Sequence, residues 1–239
     1  MKHKLILLVA GASLLAIAGF FLLNSRAKSN QSVIKIMPLG DSITQGEGGF
    51  DSYRRALWLM LQKSGAKVDF VGSMKMNFPD SEPLHSDFDM DHEGHWGWKA
   101  DEILAQLDGW ARKFRPDVVL VHLGSNDIFR REPHDETVAE LAEIIATLRK
   151  HNPRVKILVA TLISVADPGG DELISELNDL LPAMVKRLTT PESPVILVDQ
   201  YEGFDPYRDT YDRIHPNEAG AKKMARKWLE AIASALETE

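Results

Sequence analysis

Cysteine is absent from the 239 residues of this chain. Its absence excludes a disulfide framework, a thiol nucleophile and a lipid-modified cysteine. Internal repeats and low-complexity tracts are absent as well. With 44% apolar and 26% charged residues, the composition is typical of one globular domain stabilised by its core alone.

An excess of positive charge is also absent, because 28 Lys and Arg residues face 35 Asp and Glu residues, a net charge of −7. Residues 1–27 contain three of the cations and no acid, so the rest of the chain has 25 basic and 35 acidic residues, a net of −10. We therefore expect no nucleic-acid partner, since phosphate backbones select basic surfaces.

Only one long apolar run occurs, Leu5–Leu23, and Lys2 and Lys4 precede it. As a helix these residues would span about 28 Å, close to the ~30 Å hydrocarbon core of a bilayer. Ser25-Arg26-Ala27 has small residues at the two positions that a signal peptidase reads. Residues 1–27 are therefore predicted to be either an uncleaved membrane anchor or a cleaved signal peptide.

Both alternatives predict an extracytoplasmic protein, either anchored in the membrane or secreted, including into a periplasm. Membrane contact is expected only through residues 5–23. A linker is predicted at residues 28–32, and residues 33–239 are predicted to form a single domain.

Beyond the linker, short runs rich in Val, Ile and Leu alternate with longer segments of helical period, the signature of βαβ units. The pattern predicts an α/β fold with a five-stranded parallel sheet. The predicted strands are Val33–Met37, Lys67–Val71, Asp117–His122, Val155–Thr161 and Val195–Asp199. The predicted helices are Ser52–Lys63, Ala100–Lys113, Glu136–His151, Asp171–Leu188 and Asn217–Leu236. The long irregular stretch Ser73–Trp98 is expected to be a functional loop or a lid.

Polar or glycine residues follow four of the predicted strands, where sites form in open parallel sheets. Ser42 follows the first strand, and Gly97 closes the irregular stretch after the second. Asn126 follows the third strand, and His215 lies in the loop after the fifth. The agreement of four placements predicts one site at this edge of the sheet.

Ser42 lies in Gly40-Asp41-Ser42 and lacks the Gly-x-Ser-x-Gly elbow of common α/β-hydrolases. It is either a nucleophile or part of an ordinary turn in which Asp41 and Ser42 bond the backbone. His215, three residues after Asp212, is either a general base oriented by a carboxylate or a surface histidine beside a helix cap.

Asn126 and Gly97 offer an amide side chain and an unobstructed backbone N–H, the donors that a developing oxyanion needs. The alternative for Asn126 is an ordinary loop or N-cap residue. Asp89, Asp91, His92 and His95 have metal-like spacing, but no defined partner that would complete a zinc tetrahedron stands out. We expect these residues to form loop hydrogen bonds or to line the mouth of the cleft, with no metal and no cofactor.

Taken together, Gly40-Asp41-Ser42, Gly97, Gly124-x-Asn126-Asp127 and Asp212-x-x-His215 resemble the SGNH (GDSL-type) hydrolase superfamily in the same order. The resemblance covers Val33 to the C-terminus. It implies a flavodoxin-like three-layer α/β/α sandwich and a metal-free serine esterase. Ser42, His215 and Asp212 would be catalytic, and Ser42, Gly97 and Asn126 would form the oxyanion hole.

A narrower resemblance, to the carbohydrate esterase family 3 acetyl xylan esterases, is carried by three segments: Asp51–Leu57, Asp69–Ser73 and His92–Trp98. Trp96 departs from that family, which more often has a small residue there. The resemblance implies hydrolysis of short acyl esters, acetyl above all, on a small or polysaccharide substrate. A lysophospholipase or thioesterase of the same superfamily and a catalytically dead glycan-binding module are the alternatives.

Four further side chains have open roles in the sequence. Trp96 and Trp98 either stack on a sugar ring or fix their loop to the core. Arg54 and Arg55 are expected to form a helix-face ion pair or to brace a loop.

Overall fold

The sheet and its flanking helices are seen in a computed structural model that describes residues 32–237. The predictions for residues 1–27, and for all but the last residue of the linker, lie outside the described residues. Over residues 32–237, every helix is too short or too polar to cross a lipid bilayer.

The sheet has six strands rather than the predicted five. They are β1 Ile34–Gly40, β2 Val68–Phe70, β3 Glu93–Gly94, β4 Val118–His122, β5 Lys156–Ala160 and β6 Val195–Val198. The five predicted strands are all present, with ends that differ by up to three residues. The strand that was missed, β3, has two residues, Glu and Gly, which carry no strand pattern.

The strand order is β2-β1-β4-β5-β6, and all of these pairs are parallel. β3 pairs with β1 at Leu39 and Gly40, beyond the residues that pair with β2. This is the flavodoxin-like order, which reverses between β1 and β4. Ligands in such sheets bind at the carboxyl ends of the two strands where the order reverses, so the fold predicts a site after Gly40 and His122.

Seven helices lie within residues 32–237. They are α1 Ser42–Gln45, α2 Tyr53–Ser64, α3 Ala100–Phe114, α4 Ser125–Phe129, α5 His134–His151, α6 Pro168–Leu188 and α7 Glu218–Glu237. The five long helices match the predicted segments to within three residues at each end. The short helices α1 and α4 were not predicted, because four or five residues are too few to show helical periodicity.

The helices cover both faces of the sheet, which confirms the three-layer prediction. Buried side chains of α2 and α7 pack with one set of strand residues, which includes Ile36 and Leu120. Those of α3, α5 and α6 pack with the alternate set, which includes Met37 and Val121. Since neighbouring strand residues point to opposite faces, both sides of each central strand are apolar, as the continuous Val, Ile and Leu runs predict.

Candidate active site

A serine, a histidine and a carboxylate are hydrogen-bonded in series at the carboxyl edge of the sheet. Ser42 Oγ lies 2.9 Å from His215 Nε2, and His215 Nδ1 lies 2.6 Å from Asp212 Oδ2. The loop before α7 therefore comes against the start of α1. The arrangement has the geometry that a nucleophile, a general base and an orienting carboxylate require.

The turn that carries the histidine is fixed by its own hydrogen bonds. The backbone N–H groups of Ile214 and His215 donate to Asp212 Oδ1 over 3.0 and 2.7 Å. Partial burial acts to raise the pKa of Asp212, but its hydrogen bonds with His215 and Ile214 outweigh burial and lower that pKa. Asp212 is therefore ionised at neutral pH and can hold the Nδ1 proton of His215 in place.

Asp212 does not cap the N-terminus of α7, because a different residue does so. The N–H groups of Ala219 and Gly220 donate to Asn217 Oδ1 over 2.9 and 3.1 Å. Asn217 therefore performs the capping role that Asp212 would otherwise have.

The segment before the serine is held tightly against the sheet. A Cβ atom on Gly40 would lie 2.3 Å from the carbonyl oxygen of His122, so only glycine fits there. The fully buried Asp41 accepts a hydrogen bond from the N–H of Ile43 over 3.0 Å. Burial raises the pKa of Asp41 to about 6, against the opposing effect of that bond. Asp41 thus bonds the backbone, as expected of a residue in an ordinary turn. The Ser42 hydroxyl instead faces His215.

Gly97 and Asn126 belong to two segments that are joined to each other. Gly97 has φ +76°, and no heavy atom lies within 4 Å of the place that a Cβ would occupy. Asn126, in α4, donates from Nδ2 to the carbonyl oxygen of Trp98 over 2.9 Å. A side-chain amide has two N–H groups, so this bond orients the NH2 group and uses only one of them. The oxyanion role of both residues stays a prediction.

The two tryptophans of this loop have different neighbours. Trp98 stacks on the ring of His95 with centroids 4.4 Å apart, and His95 stacks in turn on Trp110 of α3 at 4.8 Å. Trp98 thus joins the loop to the body of the protein. Trp96 instead stacks on His215, with centroids 4.6 Å apart.

The residues with metal-like spacing make separate hydrogen bonds. Asp89 accepts from the N–H of Phe70, and Asp91 pairs with a lysine, Lys75. His92 Nδ1 accepts from the N–H of Gly94, and His95 Nε2 lies 3.1 Å from a carboxylate oxygen of Glu93. These contacts match the loop hydrogen bonds that the sequence analysis favoured.

Arg54 braces a loop, one of the two roles predicted for it. Its fully buried guanidinium donates to the carbonyl oxygens of Thr44, Gln45 and Met90 over 2.8, 2.7 and 2.8 Å. Burial lowers its pKa to about 10. Arg54 therefore braces the segment after the serine, whereas Arg55 forms a surface ion pair with Asp87 at 2.7 Å.

A small cavity lies beside the serine and the histidine. Its volume is about 10 Å³, which is close to the space that one water molecule needs. Its lining includes Ser42, Glu47, Tyr211 and His215. A groove of about 610 Å³ adjoins it along α2 and α7, and the two share Phe50, Asp51 and Ser52.

The chain matches the family model described as the GDSL-like lipase/acylhydrolase family over residues 39–223. That range is more than half of the chain and contains every predicted site residue from Ser42 to His215. The chain belongs to the GDSL-like lipase/acylhydrolase family. The predicted SGNH (GDSL-type) resemblance is confirmed. The prediction of a carboxylic ester hydrolase is also confirmed in the sense that this family is one of lipases and acylhydrolases.

Two solved structures place this GDSL-family chain near carbohydrate esterase family 3. One, from Talaromyces cellulolyticus, is 32% identical with a TM-score of 0.76, and the match covers 86% of this chain and 99% of that one. The other, from Clostridium thermocellum, is 34% identical with a TM-score of 0.72 and the same coverage. The narrower resemblance is thereby also confirmed.

A third structure is an acetyl esterase variant with an acetate ion, 32% identical with a TM-score of 0.76, and the match covers 87% of this chain and 100% of that one. A curated relative, a multidomain esterase of Ruminococcus flavefaciens, is 30% identical over 230 residues, which are 87% of this chain. This GDSL-family chain spans only 29% of that relative's length. It spans 54% of a second one, a putative endoglucanase X of Acetivibrio thermocellus.

Proposed function

We propose that this chain hydrolyses short acyl esters, acetyl esters of carbohydrate in particular, with Ser42 as the nucleophile. The observation that carries the proposal is the series of hydrogen bonds from Ser42 Oγ to His215 at 2.9 Å and from His215 to Asp212 at 2.6 Å. The first distance lies in the range over which a base takes a proton from a hydroxyl, and the second lets a carboxylate orient the imidazole.

In the first half of the reaction, Ser42 Oγ attacks the ester carbonyl carbon while His215 Nε2 takes the hydroxyl proton. The tetrahedral intermediate then collapses, the C–O bond to the alcohol breaks, and His215 returns the proton to the departing alkoxide. Asp212 stays ionised throughout and stabilises the imidazolium, in keeping with its lowered pKa.

In the second half, water attacks the acyl-enzyme and His215 accepts one of its protons. His215 then protonates Ser42 Oγ as the acid product leaves. In both halves the oxyanion accepts hydrogen bonds from the backbone N–H groups of Ser42 and Gly97 and from the amide of Asn126. The open side of Gly97 and the orientation of the Asn126 NH2 group toward the Trp98 carbonyl support these roles.

Two observations favour a short acyl group on carbohydrate. The groove of about 610 Å³ that lies along α2 and α7 beside the site has room for the alcohol portion of a larger substrate. In addition, the solved relatives with 32–34% identity are described as an acetyl esterase and as carbohydrate esterases of family 3.

The test compares p-nitrophenyl acetate, butyrate and octanoate as substrates, together with acetate release from acetylated xylan and acetylated peptidoglycan. Ser42→Ala serves as the background control. We expect kcat/KM to fall at least about tenfold from acetate to octanoate, since an acyl site that fits acetate would reject added methylenes by such factors. A preference for octanoate would contradict the proposal and favour the lysophospholipase or thioesterase alternative.

We further propose that the chain works outside the cytoplasm, with residues 5–23 as its only contact with a membrane. The support is the uncharged apolar run after Lys2 and Lys4. Fractionation of cells expressing the full chain or residues 28–239 tests this. Recovery of the full chain in the cytoplasmic fraction would contradict this proposal.

A further inference from the structure

Five ring side chains form one continuous stack through the site, and the imidazole of His215 is its middle member. The rings follow the order Phe78, Trp96, His215, Tyr211 and Phe50. Successive centroids are 4.5, 4.6, 5.8 and 4.1 Å apart, and successive ring planes differ by 16°, 22°, 17° and 7°. Two near-parallel aromatic rings, those of Trp96 and Tyr211, therefore lie next to the imidazole.

The two rings on the histidine are held by hydrogen bonds from the segment that follows Ser42. The backbone N–H of Trp96 donates to Gln45 Oε1 over 2.7 Å. The Tyr211 hydroxyl donates to Glu47 Oε2 over 2.5 Å, and burial and that carboxylate both raise the pKa of Tyr211. The stack is thus tied to the loop that positions the nucleophile.

The outer rings are attached to the same loop. Phe50 N–H donates to the carbonyl oxygen of Glu47 over 2.9 Å, and Gly48 N–H donates to that of Phe78 over 3.0 Å. Asn77 donates to the carbonyl oxygens of Glu47 and Phe50 over 3.2 and 3.4 Å. Because both ends of the stack join one loop, a rotation of the imidazole would have to displace rings that are fixed on both sides.

The imidazole is held at Cβ, by the hydrogen bond of Nδ1 with Asp212 and by that of Nε2 with Ser42, so the movement left to it is a tilt of its plane. The near-parallel rings of Trp96 and Tyr211 restrict that tilt and keep Nε2 directed at Ser42 Oγ. Aromatic faces also attract a cation, and the imidazole becomes cationic when it takes the serine proton.

We propose, on the basis of the function proposed above, that Trp96 and Tyr211 are positioning residues that clamp His215 and stabilise its protonated form during turnover. Neither residue transfers a proton or contacts the reacting carbonyl in this role. In this proposal Trp96, the residue that departs from carbohydrate esterase family 3, raises kcat by positioning His215.

The test measures kcat and KM for p-nitrophenyl acetate with the full chain and its Trp96→Leu, Trp96→Phe, Tyr211→Leu and Tyr211→Phe variants. The control is Trp58→Leu. It removes an indole of α2 that packs on Phe70 of β2, away from the site. We expect each Leu variant to lower kcat by about 5- to 30-fold with KM changed less than about threefold, the size of a cation–ring attraction. Trp96→Phe keeps a ring and the backbone bond to Gln45, so it should retain kcat to within about threefold. Tyr211→Phe keeps the ring but loses the bond to Glu47, so its kcat should lie between those of the wild type and Tyr211→Leu.

A spectroscopic measurement separates the clamp from general packing. In a Ser42→Ala background, the ring C–H protons of His215 should show upfield NMR shifts, because near-parallel aromatic rings lie next to the imidazole. Those shifts should diminish in Trp96→Leu and not in Trp58→Leu. If Trp96→Leu fails to fold, the shifts are compared among Trp96→Phe, Tyr211→Leu and Tyr211→Phe instead.

Three results would overturn the clamp. Unchanged kcat in both Leu variants would remove it, and so would equal losses in the Leu, Phe and Trp58→Leu variants. A gain on p-nitrophenyl octanoate with unchanged kcat on acetate would make Trp96 a wall of the acyl pocket instead. Ser42→Ala in the same assay tests the proposed function separately, since its activity does not depend on the result for Trp96.

Discussion

At the scale of single residues, the site depends on atoms that meet from distant parts of the sequence. The chain order of Ser42, Gly97, Asn126 and His215 at strand ends was enough to predict that these residues share an edge of the sheet. The contacts between His215 and the rings of Trp96 and Tyr211 were not predictable. Side-chain stacking depends on loop conformations, and the sequence of a loop has no periodicity from which its path can be deduced.

The side-chain amide of Asn126 offers the sharpest residue-scale prediction. Asn126→Ala should lower kcat for p-nitrophenyl acetate by about 10²–10³, the usual effect of removing one oxyanion donor. KM should change little, because the missing hydrogen bond forms mainly in the transition state. Steady-state kinetics measures both.

Asn126→Asp is the matched control, since it keeps the shape of the side chain but replaces the NH2 group with an acceptor. We expect it to be at least as impaired as the alanine variant. A rate close to that of the wild type in either variant would remove Asn126 from the mechanism.

At the scale of elements, the site is built from short segments that lie between the long strands and helices. The continuous apolar runs and the helical periodicity were sufficient to predict five strands and five long helices. They were insufficient for α1, β3 and α4, which together hold Ser42, the start of the Trp96 loop and Asn126. Such short elements are stabilised by tertiary contacts, such as the bonds from Arg54, rather than by their own propensity.

Arg54 and Arg55 make an element-scale test, because neighbouring residues with the same side chain have opposite surroundings. Arg54→Met should lower the free energy of unfolding by roughly 3 kcal/mol or more, since it leaves several buried carbonyl groups without donors. Arg55→Met should cost less than about 1 kcal/mol, because its partner Asp87 is largely exposed.

Urea unfolding followed by circular dichroism measures both variants. The order of the two losses is the decisive result for the arginine pair. Equal losses, or a larger loss for Arg55→Met, would mean that the buried guanidinium does not brace the segment after the serine.

At the scale of the whole molecule, the acidic chain keeps three carboxylates close together, one of them next to Asn126 in the sequence. Asp127, Glu132 and Glu140 each offer an oxygen within 4.8 Å of the others. Burial, followed by repulsion from Asp127, raises the pKa of Glu140 to about 7, and burial raises that of Asp127 to about 6. Lys99 pairs with Glu132 at 2.5 Å and offsets part of this repulsion.

The raised pKa values predict how stability depends on pH. A carboxyl group whose pKa is higher in the folded state binds more protons there, so its contribution to stability falls as pH rises from its unfolded value near 4.5 through about 7. Glu140→Gln removes this penalty and should stabilise the protein at pH 8 by roughly 1 kcal/mol, with little gain at pH 4. Denaturant unfolding at the two pH values measures the difference.

Glu143→Gln, which removes an exposed carboxylate from the same helix, is the control for loss of charge. It should change stability by similar amounts at both pH values. A Glu140→Gln variant that is no more stable at pH 8 than at pH 4, relative to the wild type, would contradict the prediction.

The central claim is that an ester bond is broken by the hydroxyl of Ser42. The most direct measurement is kcat/KM for p-nitrophenyl acetate in the wild type and in Ser42→Ala, with circular dichroism to confirm that both are folded. We predict a loss of at least about 10³-fold, since removal of a nucleophile leaves only the contribution of binding and the oxyanion donors. Hydrolysis by folded Ser42→Ala at a rate near that of the wild type would contradict the account.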